Sequence, residues 1–230
     1  MKKIIFLFAI IFVQQNVVKA QFNEDQVGAW YMYFFNTTFK ESGFGVQGDI
    51  QYRNWDMGGD LEQLLIRGGV TYKPKNAGIK FTLGYGNITK GTFGESSANT
   101  SESRIYQEAL IPNKLSNRFQ LTHRFRYEQR FNDGQDFRTR YRYNLFVNIP
   151  ITKKTLEAKA IYIALYNEIF INGQRDVGNG ARVEIFDINR FYAAMGYMIA
   201  PKAKVQLGIM RQSTNNWNKN QLQVSLHQKF

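Results

Sequence analysis

The sequence predicts an all-β chain, a closed antiparallel transmembrane β-barrel, and three observations carry that reading. Apolar residues recur at every second position from residue 26 onward, which is strand spacing and not helix spacing. The positions between them hold long charged side chains in runs, as in Arg124, Arg126, Glu128 and Arg130. Aromatics make up 15% of a 230-residue chain and gather on the apolar face, often near strand ends. With 21% charged residues and a mean hydropathy of −0.41, the chain is too polar for a helical membrane protein. It is too aromatic and too poor in proline for disorder. Without cysteine it is neither a disulfide scaffold nor a lipoprotein.

The first element is an address. Lys2 and Lys3 precede an unbroken apolar run from Ile4 to Val13, and Val18-Lys19-Ala20 ends in the small residue that signal peptidase requires. The apolar run is about half of what a spanning helix needs (~20 residues). Residues 1–20 therefore read as a signal peptide cleaved after Ala20, leaving residues 21–230 as one exported barrel domain.

The strands follow in order. The first, around Val27 to Thr38, is apolar or aromatic on both faces. Phe44, Val46, Gly48, Ile50 and Tyr52 alternate with Gln47, Asp49, Gln51 and Arg53. Leu64, Ile66, Val70 and Tyr72 alternate with Gln63, Arg67 and Thr71, and Phe81, Leu83 and Tyr85 with Thr82, Gly84 and Gly86. A fifth strand carries Arg104-Ile105-Tyr106-Gln107. In the next two, Phe119 to Tyr127 opposes Arg118 to Glu128, and Tyr141 to Ile149 opposes Arg140 to Asn148. Ile161, Ile163 and Leu165, then Phe191 to Tyr197, Val205 to Ile209 and Leu222 to Leu226 complete the series. Turn-forming clusters separate the runs, Asn132-Asp133-Gly134 and Pro201-Lys202 among them. Alternation delimits eleven strands. Single-chain bacterial barrels have even counts, so twelve are expected, the missing strand lying around 172–186 or near the N-terminus, with ten as the fallback.

A soluble β-sandwich also alternates. Against it stand the fully charged side chains on strands ten or more residues long and the tyrosines and phenylalanines facing the other way. That is the pattern of apolar residues toward lipid, aromatic girdles and a polar lumen, and a sheet in lipid must close because it cannot leave an unpaired edge. The chain ends on Phe230, on the apolar face with Leu226, Val224 and Leu222, and this resembles the terminal signature of bacterial outer-membrane barrels.

A longer resemblance runs through Gly28-Ala29-Trp30-Tyr31, Asp60-Leu61-Glu62-Gln63-Leu64, Arg104-Ile105-Tyr106-Gln107 with Glu102 two residues before it, and His123 to Phe131. It continues through Arg140-Tyr141-Arg142-Tyr143, Tyr166-Asn167-Glu168-Ile169-Phe170 and Asn189 to Tyr197. This order of blocks resembles the bacterial outer-membrane proteins grouped as domain of unknown function 2490. The resemblance implies an outer-membrane location and a barrel, and it implies no reaction.

Parity sends Arg53, Arg67, Arg104, Arg118, Arg124, Arg126, Arg130, Arg138, Arg140, Arg142 and Arg190 into the lumen, with Asp49, Glu102, Glu108, Glu128 and Glu168. Buried guanidinium groups must be paired, hydrated or bound to an anion. The expectation is an interior charge network of Arg104, Arg124, Arg126, Glu128, Arg140, Arg142, Glu168 and Arg190 that fills and stiffens the barrel. The alternative is a narrow anion-selective channel or anion-binding barrel, favoured by the excess of arginine.

Ser225 and His227 share one face two residues apart, a spacing a hydrolase could use, but both point inward with no carboxylate partner in evidence. A lipid-modifying enzyme is thus the least favoured reading, and His123 is expected at the lipid face between Leu121 and Phe125. Two distant histidines predict no metal site, and no cofactor is implied. Gly84-Tyr85-Gly86 lies within a strand and reads as room for an arginine, not as a phosphate loop. The net charge of +12 does not predict nucleic-acid binding, because the basic residues are interleaved on one strand face of an exported chain. The expected partners are outer-membrane lipid and small anions in the lumen. Phe93 to Ser103 and Gly173 to Gly180 are the candidate partner-binding loops; neither oligomeric state nor a specific solute is legible.

Overall fold

The computed structural model describes residues 26–39, 42–94, 98–116 and 118–230. The expected signal peptide over residues 1–20 lies outside them. The described residues form eleven β-strands and no helix: β1 (Gly28–Thr38), β2 (Phe44–Asn54), β3 (Leu61–Tyr72), β4 (Lys80–Gly91), β5 (Asn99–Lys114) and β6 (Gln120–Asn132). They continue with β7 (Arg138–Pro150), β8 (Ile161–Asn172), β9 (Phe186–Ala200), β10 (Ala203–Ser213) and β11 (Asn218–Lys229). Each strand pairs with its sequence neighbours, and β1 pairs with β11, so the sheet closes into a barrel. The backbone donors and acceptors that an open sheet would strand at its edges are thereby paired.

Closure corrects the strand count and the all-antiparallel expectation. With an odd number of strands the first and last run in the same direction, and β1 and β11 meet as a parallel pair, Gly28 opposite Gln221 and Asn36 opposite Lys229. No twelfth strand is needed for closure. Residues 173–185, where one was expected, form a connection containing a single bridge between Asp176 and Arg182, reinforced by their ion pair at 3.0 Å. Val177 is buried there and accepts the Asp136 N–H at 2.9 Å, which packs this connection onto the one after β6.

The strands are strongly staggered. Following paired residues from Phe34 through Asp49, Arg67, Gly86 and Arg104 leads to Arg130 and Arg138, at the start of β7. Going the other way from Phe34, through His227 and Lys204 to Met198, leads to the start of β8 and the far end of β7. A closed sheet with such a shift has strands tilted to its axis. The ends of β1, β3, β5, β7, β9 and β11 share one rim, and the ends of β2, β4, β6, β8 and β10 share the other. Turn chemistry fits these sites: Gly134, after Asn132 and Asp133, has φ of +69°, a conformation open to glycine and costly for most side chains.

The alternation seen in the sequence becomes two surfaces. Ile50, Ile66, Val70, Leu83, Phe125, Tyr141, Met195 and Ile209 are exposed on the outside. Such a continuous apolar exterior is not the surface of an ordinary water-soluble monomer. The interior has two unlike walls. Along β8 to β10, Tyr162, Ala164, Tyr192, Ala194, Met198 and Met210 form a buried apolar cluster with Trp30 of β1, and Leu156 from the 151–160 connection packs against it. Along β2 to β7 charged and neutral polar residues dominate the buried positions, with Leu65, Ile88 and Tyr106 among them.

Glycines make the close approaches possible. A Cβ on Gly86 would lie 2.5 Å from Cγ of Arg67, so this glycine does clear space for an arginine stem. Gly84 and Gly196 do the same for the rings of Tyr106 and Tyr162, where a Cβ would come within 2.2 and 2.1 Å.

Candidate functional site

The candidate site is the charged interior, and strand alternation positions most of it. Glu102, Arg104 and Glu108 come from β5, Arg124, Arg126, Glu128 and Arg130 from β6, Arg138, Arg140 and Arg142 from β7, and Glu168 from β8. In-register pairing sets Arg104 beside Arg130, Glu108 beside Arg126, and Glu128 beside Arg140. Glu108 and Glu128 thus fall within reach of an arginine on the neighbouring strand, whereas the like-charged Arg104 and Arg130 are joined through Glu102.

Glu128 is at the centre. Its Oε1 accepts from Arg142 at 2.5 Å, while Arg126, Arg104 and Arg140 approach the same carboxylate at 3.7, 3.6 and 3.9 Å. Glu168 accepts from Arg124 and from Arg142, each at 2.6 Å, so Arg142 bridges two carboxylates. Glu108 accepts from Arg126 at 2.5 Å and from the Gln47 amide at 2.9 Å. Glu102 binds Arg130, Arg104 at 2.7 Å and Lys90 at 2.6 Å. Asp49 and Arg67 form a two-oxygen pair, with contacts at 3.1 and 2.9 Å. Sharing Glu102, Glu108, Glu128 and Glu168 among several arginines pairs much of this buried charge, while Arg124 Nε, Arg126 Nη1, Arg140 Nε and Glu128 Oε2 have no hydrogen-bond partner among the described residues.

Of the eight residues expected in the network, Arg104, Arg124, Arg126, Glu128, Arg140, Arg142 and Glu168 are brought together by these contacts. Arg190 stands apart. It faces Glu168 in register, yet its Nε donates to Gln212 at 2.9 Å, and its guanidinium lies over the rings of Trp30 and Phe170. Arg53 covers the Trp30 ring at 3.6 Å, and its donors go to Gln51 and Gln63. Each such ring contact contributes roughly 0.5–2 kcal/mol.

Parity also misplaces Arg118: it lies exposed in the connection between β5 and β6, because the strand starts two residues later, at Gln120. Two interior carboxylates escape the pattern altogether. Glu62 accepts the Trp30 indole N–H at 3.2 Å, and Asp187 pairs with Arg140 at 3.0 Å. Each is the extra residue at a β-bulge: Gln63 and Leu61 pair with consecutive residues Arg53 and Asn54, as Ile188 and Phe186 do with Phe170 and Ile171. A bulge turns a nominally outward position inward. The arginine excess inferred from sequence is correspondingly smaller.

The charged packing does not run the whole length of the barrel. A cavity of about 370 Å³ occupies the half nearer the end of β11, and all eleven strands contribute to its wall. Arg67, Arg126, Arg142 and Glu168 border it, whereas Glu102, Arg104, Glu128, Arg130 and Arg140 are not in its lining. Ser225 and His227 do line it, with Oγ and Nε2 3.0 Å apart and the imidazole stacked on Phe34. Among the described residues no carboxylate contacts that imidazole, and Lys204 is its paired neighbour on β10. His123 lies on the outer face, bonded to the Tyr143 hydroxyl at 2.9 Å. Among the described residues there is no group of His, Cys, Asp and Glu suited to a metal ion.

Comparison with curated proteins gives no match. A family model described as a protein of unknown function, DUF2490, matches residues 27–223, from the residue before β1 into β11. With the match spanning the barrel from its first strand to its last, the chain belongs to the DUF2490 family.

Proposed function

We propose that this protein is an outer-membrane β-barrel whose Arg/Glu interior is structural, closing the lumen and holding the wall rigid. The observation that carries the reading is the position of Glu128, buried and ringed by Arg104, Arg126, Arg140 and Arg142. The apolar exterior supports the membrane assignment, since it would be unfavourable in water and is what hydrocarbon solvates. An exported chain that crosses with strands must satisfy every backbone group by closure, and this sheet closes.

The role we assign is not catalytic. Among the described residues the Ser225–His227 pair has no orienting carboxylate, which a serine nucleophile ordinarily needs. Anion passage is the competing reading, supported by interior cations with no carboxylate within 4.0 Å among the described residues, such as Arg53 and Arg190.

Membrane fractionation and planar-bilayer recording test both parts. The protein is expected in the outer-membrane fraction, soluble only with detergent, and nearly silent in bilayers. Recovery from the periplasm without detergent would overturn the membrane assignment. Steady conductance reversing toward the chloride potential would replace the closed lumen with an anion channel.

A further inference from the structure

We propose that the lumenal cavity near the end of β11 is a binding site for a small amphiphilic anion, an apolar or aromatic body bearing one carboxylate. The inference rests on the closed-lumen reading, since only a barrel filled at its other half makes this cavity blind. Its volume of about 370 Å³ lies at the small end of ligand pockets (~300–1,000 Å³).

The wall has two characters. Phe34, Phe146, Tyr166 and Tyr192 offer ring surface, with Met32 between β1 neighbours. Tyr166 and Tyr192 stack at 4.7 Å between centroids and form a flat platform. Such rings contribute large contact area at little cost in side-chain freedom.

The charge facing the cavity is unbalanced. Its carboxylates are engaged: Asp49 by Arg67, Glu108 by Arg126, and Glu168 by Arg124 and Arg142. Four cations are not matched in this way, among them Arg53, whose donors go to Gln51 and Gln63. The Lys204 ammonium makes no ion pair or hydrogen bond among the described residues and lies 5.7 Å from the Tyr162 ring. Lys80 donates to the Gln47 amide at 2.6 Å, and Arg190 to the Gln212 amide. Amide partners leave these cations without a direct ion pair, so an entering carboxylate gains attraction without first breaking one. Rings on one side and spare cations on the other select a molecule with both an apolar body and a negative head. Lys204 sits next to the rim, two residues after Lys202 in the connection, where a head group entering from that end meets it first.

The test is ¹⁹F NMR of 4-fluorobenzoate titrated into the full barrel in lipid nanodiscs, against 4-fluorobenzyl alcohol, 4-fluorobenzylamine and empty nanodiscs. Saturable broadening is expected for the carboxylate, at least tenfold tighter than for the alcohol, with none for the amine. Lys204→Gln is expected to weaken binding about tenfold, and Arg118→Gln in the exposed turn to leave it unchanged. Displacement by decanoate identifies acyl carboxylates as ligands; its failure restricts the site to aromatic acids. Equal behaviour of the three probes, or unaltered binding to a Lys204→Gln barrel that retains its heat-modifiable mobility, would overturn the proposal. Bilayer recording on the same preparation separates the two readings: silence with no carboxylate binding defeats only this inference, and open conductance defeats the closed lumen.

Discussion

The carboxylate of Glu62 accepts the indole N–H of Trp30 at 3.2 Å, joining β3 to β1 inside the barrel. The Gln221 amide donates to the same oxygen from β11, so one bulge residue ties together strands on both sides of the parallel seam. Glu62→Ala is expected to lower the unfolding midpoint in detergent more than Asp187→Ala. The Asp187 side chain is 26% exposed and engages one arginine, whereas Glu62 is buried and accepts from two strands. Heat-modified mobility on gels measures both, and equal losses would contradict the assignment.

Glu128→Ala strands several guanidinium groups at once. Breaking a buried pair costs about 3–5 kcal/mol, which corresponds to a midpoint lower by on the order of 10 °C for a domain of this size. Arg142→Ala added to it removes the partner, and the double variant is expected to fall short of the additive sum by ~0.5–3 kcal/mol. Strict additivity would mean that the two side chains do not act as a pair.

Gly196→Ala places a Cβ 2.1 Å from the Tyr162 ring. Overpacking of this kind costs about 1–3 kcal/mol, whereas Gly68→Ala, on the outer face with nothing within 4 Å, is expected to be close to neutral. Tyr162→Ala combined with Gly196→Ala should lose less than the two single losses added together. Urea unfolding from lipid vesicles reads out all four variants.

Ile66 sits at the middle of β3 and faces outward. If hydrocarbon covers it, Ile66→Arg costs about 2–4 kcal/mol of stability in a bilayer. A variant as stable as the parent in vesicles would show that this surface does not meet lipid.

Much of this architecture is legible in the alternation itself. Arg67, Arg104, Arg126, Glu128 and Arg142 point inward because side chains in a strand alternate and each of these occupies the expected parity. Glu62 and Asp187 escaped detection because one inserted residue reverses parity locally, and no residue type marks a bulge. Arg118 failed for the opposite reason: the alternation continues two residues past the strand that makes it meaningful. The aromatic wall of Tyr162, Tyr166 and Tyr192 went unread, because an apolar residue between outward apolar positions breaks no alternation of polarity that would announce it. Pairing of β1 with β11 has no local signature, since it depends on how many strands separate them.

That seam also decides where a reporter can be placed. Because the first and last strands travel the same way, Gly28 and Phe230 leave the cylinder through opposite mouths. An epitope inserted just ahead of residue 26 and another appended after Phe230 would therefore label the two ends of the barrel, and, if it spans the outer membrane as proposed, antibody access in intact cells would reveal which mouth faces the medium.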